Sequence, residues 1–321
     1  MTRYKLTLKN GDVPLLKTID DIIDRAREIS YGSEPYCLAI AAAHDIAAVE
    51  AAILCQKEGI ARCMLFGKSK KIKSLLEEQG ATPSEFEIVS TRSDKESADG
   101  VAMAASEGKA NVILKGIIST SVLLRQILNK DYGLRRRGLL SHTAILSMSN
   151  YPKLLSLTDG GMVIKPTFDQ KVEIIRNSVM VSRAVGVEVP RVAALSPIDY
   201  IVQAFPDTFE AAALSKMAER GQIENCIVDG PMSLDTAVWP PAVAYQKIKS
   251  PVAGQADILL TNSIEEGNIL AKSLIQFSEA KFAGVIVGAR IPIALVSRAD
   301  DAYNKLASVA LSVVVAHFIR K

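Results

Sequence analysis

The sequence predicts an α/β protein built on largely parallel sheet, and three observations carry that prediction. Short β-rich runs alternate with longer stretches of helical periodicity, as in strands joined by crossover helices rather than in a bundle or sandwich. Hydrophobic residues make up 49% and charged residues 23% of the chain, which is ordinary usage for a folded protein. At 321 residues the chain is about twice the commonest domain length, so two domains are expected.

Taken in order, apolar runs bounded by polar or turn residues predict strands at 37–41, 62–66, 86–90 and 111–115. Further strands are expected at 143–147, 154–158, 191–195, 225–229, 257–261 and 282–287. Helical periodicity predicts helices at 46–57, 95–107, 121–129, 170–185, 208–220, 265–277 and 304–318. Asp207 stands three residues before Glu210, and Ser263 three before Glu266, so each pair is expected to open a helix as a capping box. The apolar tract 309–319 is well short of the roughly 20 residues a bilayer span requires, so it reads as a buried helix. No fixed-period repeat or low-complexity linker marks a boundary, and the strand count places one near Leu140, after an arginine-rich turn.

Composition excludes several functions. The formal net charge of +3 is too small to point to nucleic acid or a membrane surface as the main partner, while a small anion remains a fitting one. Cys37, Cys55, Cys63 and Cys226 form no Cys-x-x-Cys pair, and His44, His142 and His317 have no metal-ligand spacing. Neither a metal site nor a disulfide framework is expected, and the histidines and Cys226 read as packing residues. The N-terminus lacks an apolar run followed by a small-residue cleavage site, so a cytoplasmic protein is expected. Dinucleotide and P-loop glycine motifs, the nucleophile-elbow serine and the His-Glu-x-x-His helix are all missing.

Two segments could carry chemistry. In NVILKGIISTSVLLR (111–125) a strand and a glycine turn lead to Ser119, Thr120 and Ser121, with Arg125 about one helical turn further on. Helix-start amides, hydroxyls and a guanidinium suit an anion, and the same hydroxyls suit helix capping; pattern alone leaves both readings open. In FAGVIVGARIPIALVSRADD (282–301) a strand is followed by Ser297, Arg298, Asp300 and Asp301. These residues could bind phosphate, stabilise an oxyanion and accept a proton, or cap and pair on the last helix. Asp229, Gly230, Pro231 and Asp235 lie in turn-rich sequence near a strand and are candidates for substrate binding or for turn chemistry alone. The run Arg135, Arg136 and Arg137 reads as a solvated face, or as a contact for the phosphates of a large cofactor.

Five ordered stretches together resemble the phosphate acetyl/butyryl transferase family, and most closely its short, butyryl-transferring members. They are LKGIISTSVLLRQILNKDYGLRRRGLLSH, LTDGGMVIKP, AALSKMAERGQIENCIVDGPMSLDTAV, SPVAGQADILLTNSIEEGNILAKSL and GVIVGARIPIALVSRADD. The resemblance implies two α/β/α domains with a cleft between them, of the isocitrate and isopropylmalate dehydrogenase type. The first domain would comprise residues 1–140 plus 295–321, completed by the C-terminal helix, and the second 141–294. It further implies reversible acyl transfer from butanoyl-coenzyme A to inorganic phosphate, with acetyl- or propanoyl-coenzyme A as the alternative substrate. Coenzyme A is then substrate and product, with no tightly bound cofactor, and a homodimer is expected.

By the same resemblance Ser297, Arg298 and Arg125 fall on active-site positions and Ser119, Thr120 and Ser121 on the phosphate-facing loop. Relatives that transfer acetyl carry a carboxylate seven residues beyond the serine, where this chain has Asn304; Asp300, in its Ser-Arg-Ala-Asp run, replaces it as the expected base, with Asp301 next. Arg92 is the positional match for a second phosphate-binding arginine. A metal-dependent dehydrogenase on the shared fold and a non-catalytic coenzyme A binder are the readings from other classes.

Overall fold

The computed structural model describes residues 13–32, 35–136, 138–295 and 302–320. Its strands are β1 (Cys37–Ala41), β2 (Arg62–Gly67), β3 (Glu87–Ser90), β4 (Val112–Lys115), β5 (Ser141–Ser147) and β6 (Leu155–Thr158). They continue with β7 (Arg191–Leu195), β8 (Ile227–Met232), β9 (Ile258–Leu260), β10 (Lys281–Val287) and β11 (Ile293–Ala294). The helices are α1 (Ile19–Tyr31), α2 (Ile46–Lys57), α3 (Ser69–Glu78), α4 (Asp94–Ser106), α5 (Thr120–Ile127) and α6 (Phe168–Ala184). After these come α7 (Asp207–Glu219), α8 (Leu234–Val238), α9 (Pro240–Gln246), α10 (Ile264–Phe277) and α11 (Ala302–Arg320).

All of these strands join one sheet in the order β3-β2-β1-β4-β11-β10-β5-β6-β9-β7-β8. Two parallel blocks, β3-β2-β1-β4-β11 and β6-β9-β7-β8, flank the pair β10 and β5. The junctions β11 to β10, β10 to β5 and β5 to β6 are all antiparallel. The two blocks therefore run in opposite directions, and their carboxyl ends lie at opposite ends of the sheet. The expected boundary at residue 295 falls just after β11, which pairs with β4 of the first block.

Strand β1 is buried along its whole length because helices cover both faces. Leu38 and Ile40 pack toward α1, α2 and α11, while Ala39 and Ala41 pack with residues of α4 and α5. In the second block Ile258 and Leu260 pack with α6 and α7, and Leu259 packs with residues of α9 and α10. Among the described helices α11 is long and apolar enough to cross a membrane, yet 72% of its apolar window is buried within the protein. Its Val309, Leu311, Val313 and Val315 are fully buried, and each contributes about 1.5–3 kcal/mol on leaving water.

The expected strands and helices match observed ones, most with shifted ends. Helix α1 was not expected, although Ile19, Ile22, Ile23, Ala26 and Ile29 form a helical apolar stripe behind a Thr18–Asp21 capping box. Helices α3, α8 and α9 and the two-residue strand β11 were also outside the expected set. The Asp207–Glu210 capping box is corrected: Pro206 is the N-cap, and Asp207 and Glu210 both accept from the buried Lys171 ammonium, at 3.4 and 2.7 Å. At Ser263 the serine does accept the Glu266 amide at 3.3 Å, but the glutamate reaches past the cap to the Asn262 amide at 2.9 Å.

Candidate active site

The anion-loop candidate sits at the carboxyl end of the first parallel block, where open α/β sheets bind ligands. Strand β4 ends at Lys115, and the chain turns at Gly116 against the backbone of residues 41 and 42. A Cβ on Gly116 would stand 2.4 Å from the Ala42 carbonyl oxygen, so only glycine fits. The Lys115 ammonium folds over the turn and donates to the carbonyls of Gly116 and Ile118, at 3.2 and 3.1 Å. Ile118 then anchors the loop in the core.

Ser119 is the N-cap of α5, accepting the Val122 amide at 3.3 Å, and its hydroxyl lies 3.1 Å from that of Ser121. Leu123 and Ile127 bury one face of α5, leaving Ser119, Ser121 and Arg125 exposed. Arg125 follows Ser121 by four residues, so the two share a helix face. The structure thus brings Ser119, Thr120, Ser121 and Arg125 together. The capping and anion-binding readings are compatible, because one hydroxyl closes the helix while the helix start still faces solvent.

Arg92 lies directly before Ser93, the N-cap of α4, and α4 packs on α5. Strands β3 and β4 are three ladder steps apart, or about 14 Å, at the same end of the sheet. Ser297, Arg298, Asp300 and Asp301 lie outside the described residues, as does Arg137. The described chain nevertheless reaches Leu295 beside β4, since β11 pairs in parallel with it, and resumes at Ala302 in α11.

Asp229, Gly230, Pro231 and Asp235 stand elsewhere. They are on or just after β8, seven strands from β4, roughly 30 Å away and at the opposite end of the sheet. Within one chain they are not brought to the Ser119 loop. Asp229 accepts the Gly230 amide at 2.9 Å and the Ser215 hydroxyl at 3.3 Å. A Cβ on Gly230 would stand 2.7 Å from the Ala194 carbonyl oxygen. Asp235 accepts the Ser233 hydroxyl at 2.7 Å, and that bond holds its carboxyl below the usual range. Arg135 and Arg136 line a pocket of about 400 Å³ with Lys130, at the amino end of β5 and so away from the loop. Burial lowers the Arg136 pKa, and neighbouring Arg290 lowers it further.

The segment after β6, part of the LTDGGMVIKP stretch, holds a buried carboxylate to which sequence analysis assigns no role. Asp159 is buried and accepts three backbone amides, His142 at 3.0 Å and Gly161 and Met162 at 2.8 Å each. The His142 ring packs between Gly161 and Gly284, and neither ring nitrogen has a hydrogen-bond partner. Burial pushes its pKa down against the opposing pull of Asp159. The Thr-Asp-Gly-Gly run directly after an apolar strand was the available signal. The cysteines are poor nucleophiles: burial raises Cys37 and Cys226 to about 11 and Cys55 to about 12.

A two-block sheet with a hydroxyl-rich helix start and an arginine at one carboxyl edge makes this an α/β protein of the dehydrogenase-like fold with a candidate anion loop. The chain belongs to the phosphate acetyl/butaryl transferase family, whose family model matches residues 95–313. A protein of Bacillus subtilis described as a probable phosphate butyryltransferase is 44% identical over 276 residues, 86% of this chain and 92% of that protein. The crystal structure of a branched-chain phosphotransacylase from Enterococcus faecalis superposes with a TM-score of 0.79 at 29% identity, covering 88% of this chain and 99% of that one. A 4-hydroxythreonine-4-phosphate dehydrogenase from Klebsiella pneumoniae shares the fold at a TM-score of 0.53 and 12% identity, covering 88% of this chain and 100% of the other.

Proposed function

We propose that this protein transfers an acyl group reversibly between coenzyme A and inorganic phosphate, with butanoyl-coenzyme A preferred and acetyl- or propanoyl-coenzyme A as the alternative. The observation that carries the reading is the Ser119–Ser121 helix start with Arg125 on the Ser121 face, in a chain of this family. The butanoyl preference follows the likeness to the Bacillus subtilis protein described as a probable phosphate butyryltransferase.

Phosphate attacks the thioester carbonyl directly within a ternary complex. The raised cysteine pKa values support this route, since Cys37, Cys55 and Cys226 hold almost no thiolate at neutral pH. Arg125 and Arg298 hold the phosphate dianion against the loop of Ser119, Thr120 and Ser121, which places the nucleophile for attack. Ser297 donates to the developing oxyanion, and in the reverse direction Asp300 takes the thiol proton. Asp229, Gly230, Pro231 and Asp235 are kept as substrate-binding candidates only for an assembly that brings β8 of one protomer to the loop of another.

No tightly bound cofactor enters this scheme. We infer a cytoplasmic homodimer. Exposed Ile201, Phe205, Phe209 and Trp239 support assembly. The test is a thiol-release assay with acetyl-, propanoyl- and butanoyl-coenzyme A, with and without phosphate. Phosphate-dependent release that is fastest with butanoyl-coenzyme A is expected; thiol release independent of phosphate, or NAD reduction at 340 nm instead, overturns the reading.

A further inference from the structure

The arginine-rich turn between α5 and β5, which acyl transfer leaves unused, forms a pocket of about 400 Å³ lined by Lys130, Gly133, Arg135, Arg136 and Gly138. That volume is within the range of small-molecule sites. Because β5 and β6 are antiparallel, this amino end of β5 lies beside the carboxyl ends of the second block, the edge at which open α/β sheets bind ligands. The Ser119 loop stands at the other end of the sheet.

The rim is held in place from several sides. Gly133 turns at a left-handed φ of 62°, and Leu134 is buried beneath it. Arg135 bridges to Ala289, and the Arg290 amide donates to the Leu134 carbonyl at 2.9 Å. Across the pocket, Asn177 of α6 donates to the Leu139 carbonyl at 2.8 Å. Four cations are gathered in this way. Lys130, Arg135 and the half-buried Arg136 line the pocket, and Arg290 stands close enough to Arg136 to lower its pKa beyond the effect of burial. Among the described residues, no hydrogen bond or ion pair engages these four side chains.

The neighbouring carboxylates do not neutralise them. Glu173, beside Gly138, pairs with Arg176; Asp99 accepts the Tyr132 hydroxyl at 3.1 Å; Asp131 is exposed and outside the lining. Like charges brought together, one of them half-buried, cost stability that a bound anion restores. Guanidinium groups take phosphate oxygens in bidentate pairs, and four cations exceed what one phosphate dianion requires. The described lining offers no aromatic ring or apolar wall to a base, so the recognised group is the phosphate chain itself.

We propose that this pocket binds a small anion with two or three linked phosphates, at a site separate from that of acyl transfer. The assignment does not depend on the acyl-transfer reading, and calorimetry on the full chain tests it without turnover. Tripolyphosphate is expected to bind one per chain and far more tightly than orthophosphate. Its affinity should fall about tenfold in Arg136→Met and about threefold in Lys130→Ala. Arg290 is exposed, so Arg290→Ala serves even where Arg136→Met does not fold. Equal affinity in wild type and all variants, or orthophosphate binding as tightly as tripolyphosphate, overturns the proposal. ATP distinguishes a nucleotide from the bare chain: affinity equal to that of tripolyphosphate is expected, and far tighter ATP binding overturns recognition of phosphates alone. Saturating coenzyme A should leave tripolyphosphate binding unchanged, and competition between them overturns a separate site.

Discussion

The hydroxyl oxygens of Ser119 and Ser121 lie 3.1 Å apart, and Ser119 at the same time holds the Val122 amide at 3.3 Å. One side chain therefore closes α5 while standing at the edge of the candidate anion loop. Ser119→Ala is expected to cost about 1 kcal/mol in urea unfolding from the lost cap. Ser119→Asp should keep the cap, since aspartate is as good there, yet raise the KM for phosphate by like-charge repulsion. Equal phosphate KM values in Ser119→Asp and wild type would separate the loop from phosphate binding.

Gly116→Ala is expected to destabilise the protein by about 2 kcal/mol or more, because the new methyl meets two backbone carbonyls that cannot move aside. The closest contacts would be 2.4 Å to Ala42 O and 2.6 Å to Ala41 O. Thermal unfolding reads this directly, and an unchanged Tm would show that the turn accepts a side chain.

His142 predicts an acid-side loss of stability. Burial lowers its folded pKa below the unfolded value of 6.5, so the unfolded chain binds the proton first. Its contribution is fully present above pH 6.5 and is lost as pH falls below that value toward the folded pKa. Burial and the nearby Lys68 and Lys71 lower His44 in the same sense. Urea unfolding between pH 5.5 and 7.5 should show a shallower pH slope in His142→Gln than in wild type. Identical slopes would mean that the ring is not titrating differently in the two states.

Thiol chemistry gives a further check. With Cys37 and Cys226 at about 11 and Cys55 at about 12, native protein should react with a disulfide reagent at pH 8 far more slowly than denatured protein. Rapid labelling of a native cysteine would reopen a covalent acyl-enzyme route.

Much of the fold was legible because burial and period agree. The apolar runs CLAIA and RVAAL became β1 and β7 with the expected ends, and α2 matched residue for residue. Strand β11 was not legible, since two residues carry no periodicity. The opposed direction of the two blocks depends on three antiparallel junctions, β11 to β10, β10 to β5 and β5 to β6, which no local pattern specifies. Asp207 and Glu210 had capping spacing but serve Lys171, a partner 36 and 39 residues away in sequence. The loop of Ser119, Thr120, Ser121 and Arg125 was readable because all its parts are local to one strand, turn and helix. The hydrogen bond from the His142 amide to Asp159 was not legible because it crosses two strands, and Asp229 through Pro231 stand on β8 where tight backbone packing calls for the same residue types as a binding site.

Phosphate titration of Arg125→Ala, with and without added guanidinium, is the most direct test of the claim that the α5 start and Arg125 hold the attacking phosphate. The expected result is a fall of about a hundred- to thousandfold in kcat/KM for phosphate, unchanged KM for butanoyl-coenzyme A, and partial rescue by guanidinium. A variant with wild-type phosphate dependence would contradict it.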